Sequence, residues 1–415
     1  MKSGPALTIK QDARFESMIP PPSTLDLSDP ALLDGLGAVP NTVGVYLLTP
    51  AIGQPYLGWS ASLSKRLRRL LLRNPKGEYE GGTSPRTALC ENLTSAAYWL
   101  AGSRLETSLL LYYLARQHDP VGYRKRLKLR DPWFVCLLSS DRFPRLAVRN
   151  RISRRPSAAY GPFRSRETAE RLEQELQALF QTRRCHEVLT PSEQHPGCIY
   201  GEMNLCLRPC QKAVSDAEYA AEVSRLDGFL HSNGSRTLSA LASARDHASD
   251  NMDFEEAARL HVECERIKAV ADLRDPAVAE IDSLNGLALT RASGAVTVAI
   301  WIMLSGFWQN PLSISFNDLS DNSKSMDSRL RELLGEHISR PNREGIRAEH
   351  IALFSKWYYS STRDGEWFGF KTLADLNYRK LVRSISNLLR ADAKLREDAR
   401  LREDAKLRDV VANES

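Results

Sequence analysis

Four of the seven cysteines, Cys185, Cys198, Cys206 and Cys210, fall within 26 residues, separated by 12, 7 and 3 residues. Four thiolates are the ligand number of a tetrahedral zinc or of an iron–sulfur cluster, and the spacing alone does not choose between them. Pro196-Gly197 and Pro209 keep the stretch out of regular structure, so a loop over 185–210 is expected in which the four sulfurs converge. Free thiols usually scatter through cores, and Cys90, Cys136 and Cys264 fit that scattered pattern.

The second chemical signal is charge. The net charge is +6, but residues 1–186 hold 28 Lys/Arg against 16 Asp/Glu, and the remainder holds 29 against 35. The excess is concentrated in runs: Lys65, Arg66, Arg68, Arg69 and Arg73; Arg124, Lys125, Arg126, Lys128 and Arg130; Arg149, Arg151, Arg154 and Arg155. Such arrays neutralise phosphates and give salt-sensitive nucleic-acid binding. The plain alternative is a solubilising surface.

These groups need elements to position them. Val43 to Leu48 and Tyr56 to Gly58 are strand-formers around Thr49-Pro50 and Gly53, which predicts a hairpin. A helix through Arg73 should follow, capped by Ser62, with Leu63, Leu67, Leu70 and Leu71 inward and the basic residues outward. A further helix is expected over 104–117 and a strand over 133–138. Tyr160-Gly161-Pro162 reads as a turn, followed by a Ser165-capped helix with Ala169, Leu172, Leu176, Leu179 and Phe180 on one face. Ser215 to Glu218 is a capping box opening a helix to about 231, and stretches 236–249 and 253–271 read as a helical hairpin. Strands are expected at 287–290, 295–304 and 312–316. The tail 391–409 carries six basic and six acidic residues in a near six-residue repeat, a charge-balanced solvated helix.

The 42% apolar and 26% charged composition excludes collagen-like, wholly disordered and disulfide-scaffold classes. The longest apolar runs, 109–115 and 295–304, fall short of the roughly 20 residues that cross a bilayer. Met1 to Pro30 has no apolar signal core, so a cytoplasmic protein without membrane contact is expected.

Several motifs together resemble one family. Gly44-Val45-Tyr46, then Tyr56-Leu57-Gly58 and Arg66, look like the GIY-YIG nuclease motif. Tyr160-Gly161-Pro162-Phe163, Arg184-Cys185, Cys198-Ile199-Tyr200, Cys206 to Cys210 and Glu218-Tyr219 resemble the middle of a UvrC-type excinuclease subunit. Phe254-Glu255-Glu256-Ala257-Ala258 is similar to the UVR motif that pairs with UvrB in that family.

The resemblance implies an α+β multidomain chain: a flexible arm 1–40, a GIY-YIG-like domain 41–150, a cysteine-rich iron–sulfur region 151–214, a UVR-type helical region 215–275, a truncated UvrC-homology α/β region 276–385 and a charged tail 386–415. It further implies a four-iron, four-sulfur cluster on Cys185, Cys198, Cys206 and Cys210, with zinc the alternative. Catalytic roles fall to Tyr46 and Tyr56, positioning and deprotonating a water, and to Arg66, stabilising phosphate charge. DNA contacts fall to Lys65, Arg68, Arg69, Arg124, Lys125 and Arg126, and a UvrB-type protein to Phe254, Glu255, Ala257 and Ala258. The implied setting is nucleotide excision repair within the SOS response to DNA damage.

Departures from the family pattern bear on the enzyme. Leu111 stands where the family has its Glu for Mg²⁺ or Mn²⁺, and a leucine offers no oxygen ligand. Glu106, five residues earlier, lies about 140° around a helix. Trp59 replaces a Lys, Tyr123 an Asn, and His261-Val262 an Arg-Asp pair. Family members continue into an RNase H-like nuclease and helix-hairpin-helix repeats; this chain resembles only the lead-in, to about residue 360, so neither of the two is expected in it. The readings are therefore a UvrC-like incision subunit with a degenerate site, a non-catalytic DNA-binding iron–sulfur adaptor, or an unrelated iron–sulfur regulator.

Overall fold

The computed structural model describes residues 19–25, 27, 32–72, 93–151, 158–294, 297–315, 325–338 and 346–391. Most of the arm, Arg73, Cys90, Arg154, Arg155, Phe316 and nearly all of the charged tail lie outside these residues. The fold is α+β. It divides into two compact units, one of residues 1–129, 286–345 and 360–415, the other of 130–285 and 346–359.

The first unit holds two antiparallel sheets. In one, β1 (Ser23–Leu25), β4 (Leu93–Leu100), β2 (Gly44–Pro50) and β3 (Tyr56–Ser60) lie in the order β1-β4-β2-β3. The expected hairpin is β2–β3, with Tyr46 opposite Gly58 and Leu48 opposite Tyr56. One face carries Tyr46, Leu48 and Ala96 against Leu36 and Val39 of the α1 (Leu32–Ala38) region and Leu63, Leu67 and Leu70 of α2 (Leu63–Leu71). Gly44 admits this packing, since a Cβ there would lie 2.7 Å from the Trp99 carbonyl oxygen. Leu71 is only half-buried, and Ser62 does not cap α2 through its side chain. Ser60 instead engages Ser62 itself, accepting its N–H at 3.1 Å and donating to its carbonyl at 3.0 Å.

Helix α3 (Arg104–His118) packs on β2 and β3, capped by Ser103, whose hydroxyl accepts the Glu106 N–H. The short α4 (Tyr123–Arg126) follows it. The other sheet runs β11 (Phe307–Trp308), β10 (Thr297–Leu304), β9 (Gly286–Arg291), β13 (Glu366–Gly369), with β12 (Leu312–Ser315) also on β10. Leu287, Leu289, Val298, Ile300 and Ile302 bury its inner face against the helices Met326–Ile338 and 378–391.

The second unit is built on β5 (Trp133–Leu138), β6 (Arg145–Arg149), β7 (Ala158–Phe163) and β8 (Ala279–Glu280), in the order β6-β5-β7-β8. Tyr160-Gly161-Pro162 is thus strand, not turn. Trp133 faces Phe163 and Val135 faces Tyr160, so Phe134 alone opposes Gly161 and Pro162. A bulge leaves one residue unpaired, which accommodates a proline with no N–H to give.

Helix α5 (Arg166–Leu179) opens with a Ser165–Thr168 capping box, and α7 (Asp216–Ser232) with the Ser215–Glu218 box. Leu172 and Leu176 of α5, Leu226 and Phe229 of α7, and Ile267 and Val270 of α9 (Phe254–Asp272) share a core with Val135 and Tyr160. Helices α8 (Ser235–Asp250) and α9 form the expected hairpin. The helix Arg347–Tyr358 also belongs to this unit; it packs on β7, and Tyr359 donates its hydroxyl to the Pro162 carbonyl at 2.9 Å. Among the described residues no helix is long and apolar enough to cross a membrane.

Candidate functional sites

The tyrosine–arginine constellation is assembled by the β2–β3 hairpin and the first turn of α2. Tyr46 is 1% exposed, and the Arg66 Nε donates to its hydroxyl oxygen at 3.1 Å. The Tyr56 ring lies 6.0 Å from that of Tyr46, tilted by 45°. Gly58 makes room: a Cβ there would sit 2.6 Å from the Tyr46 oxygen. Burial, opposed by the hydrogen bond from Arg66, pushes the Tyr46 hydroxyl up to about 12. Tyr46 therefore keeps its proton at neutral pH. A protonated hydroxyl held at this point by Arg66 can donate to a ligand and position it. The half-buried Arg66 is tethered to Tyr46 through Nε and also interacts with Tyr56, so the three side chains form one group of donors.

On α2, Lys65, Arg68 and Arg69 are exposed, with no acidic residue in the first turn. On α4, Lys125 and Arg126 are exposed and Arg124 is half-buried. Leu111 is half-buried on α3. The Glu106 carboxylate accepts the Gly102 N–H at 2.7 Å, and burial pushes its carboxyl up to about 7. Trp59 is 54% exposed and Tyr123 is buried.

The cysteine segment has little core of its own and is closed by polar contacts. Leu207 N–H donates to the Gln181 carbonyl, the Gln181 side chain to the Asn204 carbonyl, and Ser192 N–H to the Cys210 carbonyl. A short helix α6 (Ile199–Glu202) follows Cys198, and left-handed backbone at Asn204, Arg208 and Lys212 turns the chain around Cys206 and Cys210.

Cys206 and Cys210 are buried, Cys185 is half-buried and Cys198 exposed. Burial first, then the charges of Cys185, Cys198 and Cys210, push the Cys206 thiol up to about 11. Burial and the charges of Cys185 and Cys198 likewise raise Cys210. The four sulfurs thus lie within one another's field, and Arg208 N–H donates to the Cys206 sulfur at 3.4 Å. Among the described residues no three His, Cys, Asp or Glu side chains are gathered as around a single metal ion.

Beside Cys185 stands an arginine that no sequence pattern marked. The Arg183 side chain, 4% exposed, donates to the Phe143 and Glu187 carbonyls at 2.7 Å each and to Asp141 at 2.8 Å. Its Nη1 also reaches the Cys185 sulfur at 3.9 Å. The Tyr219 hydroxyl accepts the Arg183 N–H at 2.9 Å and donates to the Pro144 carbonyl at 2.7 Å. The only signal for Arg183 in the sequence is its place just after an amphipathic helix and just before Arg184-Cys185.

In the α8–α9 hairpin Asp253 caps α9, accepting the Glu256 N–H. Phe254 is 69% exposed, Glu255 and Ala258 are exposed, and Ala257 is half-buried. Phe254, Ala258 and Val262 recur every four residues, one side of the helix, and all three face solvent.

Comparison with known proteins agrees with this division. The UvrC/Cho excinuclease middle domain matches residues 133–229, the second unit's sheet and cysteine segment, and the UvrB/uvrC motif matches 235–270, the helical hairpin. These two matches define the chain as one that carries a UvrC-type middle domain joined to a UVR motif. Over residues 133–270 the chain is thus similar to UvrC-type proteins.

Relatives include the UvrABC system protein C of Moorella thermoacetica, 25% identical over 280 residues, covering 66% of this chain and 44% of that protein. That of Edwardsiella ictaluri is 30% identical over 244 residues, 57% of this chain and 38% of the relative. That of Desulfatibacillum aliphaticivorans is 24% identical over 329 residues, 78% and 53%. The matches thus span about half or less of these relatives' length. No solved structure gave a significant match.

Proposed function

We propose that the chain serves nucleotide excision repair as a UvrC-type subunit that binds DNA through the basic faces of α2 and α4 and docks a UvrB-type partner on α9. The observation that carries this reading is the uncovered apolar side of the UVR helix, Phe254, Ala258 and Val262, beside the ion-paired Glu256 and Arg259. An apolar stripe rimmed by charge is the usual character of a docking surface. Because Phe254 is exposed, Phe254→Ala leaves stability within about 0.5 kcal/mol of wild type. Binding to a UvrB-type protein by calorimetry should fall at least about tenfold, as for an aromatic anchor. Undiminished affinity overturns the docking assignment.

Cys185, Cys198, Cys206 and Cys210 are the ligands we assign to an iron–sulfur cluster. Four thiols in one segment, turned by left-handed backbone around Cys206 and Cys210, are a donor set that serves a cluster or a tetrahedral zinc, and the resemblance to UvrC-type proteins favours the cluster. When bound, such a centre supplies cross-linking and one-electron redox chemistry.

A second reading, a non-catalytic adaptor, is favoured by α3. Leu111 offers no oxygen, and Glu106 is engaged by the Gly102 amide. What stays at Tyr46, Tyr56 and Arg66 is a phosphate-binding group of donors. Nicking of plasmid DNA with Mg²⁺ or Mn²⁺ that Tyr56→Phe abolishes overturns the adaptor reading; no nicking of partner-loaded damaged DNA supports it.

A further inference from the structure

Two buried arginines share one close carboxylate beside the cysteine segment. The side chains of Arg183 and Arg145 are 4% and 10% exposed, and both approach Asp141, at 2.8 and 3.6 Å. Arg145 also donates to the His186 Nδ1 at 3.0 Å. An arginine has only donors to offer, so that nitrogen accepts. Glu173 of α5 feels Arg145, but at longer range than an ion pair. The Arg145 Nε, buried, has no hydrogen-bond partner.

Counted over direct contacts, the group carries one positive charge more than its carboxylate balances. An uncompensated buried charge is strongly destabilising unless an opposite charge stands nearby. The nearest anionic atom in prospect is the Cys185 sulfur, 3.9 Å from the Arg183 Nη1, and Arg145 lies in the field of the same thiolate.

We infer that Arg183 and Arg145 are the built-in counter-charge of the cysteine-bound centre: Arg183 seats the Cys185 thiolate, and the pair together favours the centre's reduced, more negatively charged state. This rests on the iron–sulfur reading above. Adding one electron to the centre adds one negative charge, which nearby positive charge stabilises, so the arginines raise the reduction potential. Asp141, being negative, works against them. Arg183 and Arg145 are positioning residues, since the electron enters the centre and not the side chains.

The test uses the full chain, purified anaerobically and titrated with dithionite in the presence of redox mediators while the visible band is followed. Arg145→Met removes one charge without touching sulfur. At the wild-type midpoint its reduced-to-oxidised ratio should fall about tenfold, a shift of about 59 mV to more negative potential for one electron. Asp141→Asn, on the more exposed member of the group, should move the midpoint the opposite way. Arg145→Lys keeps the charge and should restore most of the wild-type value.

Opposite shifts in the Met and Asn variants establish the counter-charge. Midpoints unchanged in both, with iron content equal to wild type, overturn it. Should Arg145→Met not fold, the sign of the Asp141→Asn shift alone decides, and a zero or negative shift overturns the inference. A wild-type chain that is colourless and binds zinc instead overturns the cluster reading itself, a result no arginine variant can mimic.

Discussion

The tyrosine–arginine site and the cysteine segment are held by opposite means. Tyr46 is part of a hydrophobic core, with Leu48, Leu63 and Leu67 around it, and its oxygen is the one polar point kept in register by Arg66. The cysteine segment has almost no apolar anchor. Its course is fixed by backbone hydrogen bonds, a buried arginine and one tyrosine hydroxyl. Packing fixes a side chain whatever chemistry surrounds it. A segment held by polar contacts keeps its shape only while those contacts, and whatever its thiols bind, persist.

That contrast can be broken most sharply at the thiols. Cys206→Ser together with Cys210→Ser should abolish the brown colour and iron content of anaerobically purified protein. Retained iron would mean that the four cysteines do not act as a set. A pair of tyrosine variants sharpens the same point. Tyr219→Phe strips partners from the Arg183 amide and the Pro144 carbonyl, a loss of about 2–3 kcal/mol by denaturant melts. It should also lower iron retention. Tyr46→Phe removes only an acceptor from the half-buried Arg66, which water replaces, for about 1 kcal/mol or less. Equal losses would erase the distinction between the two regions.

A further effect is one of pH. Burial raises the Glu106 carboxyl from 4.5 to about 7 in the folded chain. The folded state therefore binds the more protons between those values, and stability conferred by the neutral form is lost as pH rises through about 7. Glu106→Gln should be near neutral at pH 4.5. At pH 8 it should be stabilising by about 1–2 kcal/mol, once the weakened bond to Gly102 is set against the relieved charge. A gain that does not grow with pH would show that the carboxylate is not penalised by burial.

Much of this was legible in the sequence because periodicity and caps are local. Leu63, Leu67 and Leu70 write the inner face of α2, and Ser165 and Ser215 write the starts of α5 and α7 in their own side chains. Tyr160-Gly161-Pro162 was misread because a bulge is a property of two strands, and Phe134, its partner, lies 26 residues away in the chain. Ser62 does not cap α2 through its side chain, and its own N–H and carbonyl are engaged by Ser60. Arg183 and Arg145 could not be seen beforehand, since their meeting at Asp141 depends on a loop and an edge strand coming together. The exposed side of α9 is visible only once the buried side, Leu260, Cys264 and Ile267, is known.

The segment 346–359 is covalently flanked by chain of the first unit yet packs with the second, so the backbone passes between units four times. No single proteolytic cut can then release either half intact. A fragment ending at residue 285 would contain both family matches but would leave β7 without the helix Arg347–Tyr358 and the Tyr359 hydroxyl. Dissection of this molecule has to follow its thread and not its motifs, with the missing helix retained or returned as a separate peptide.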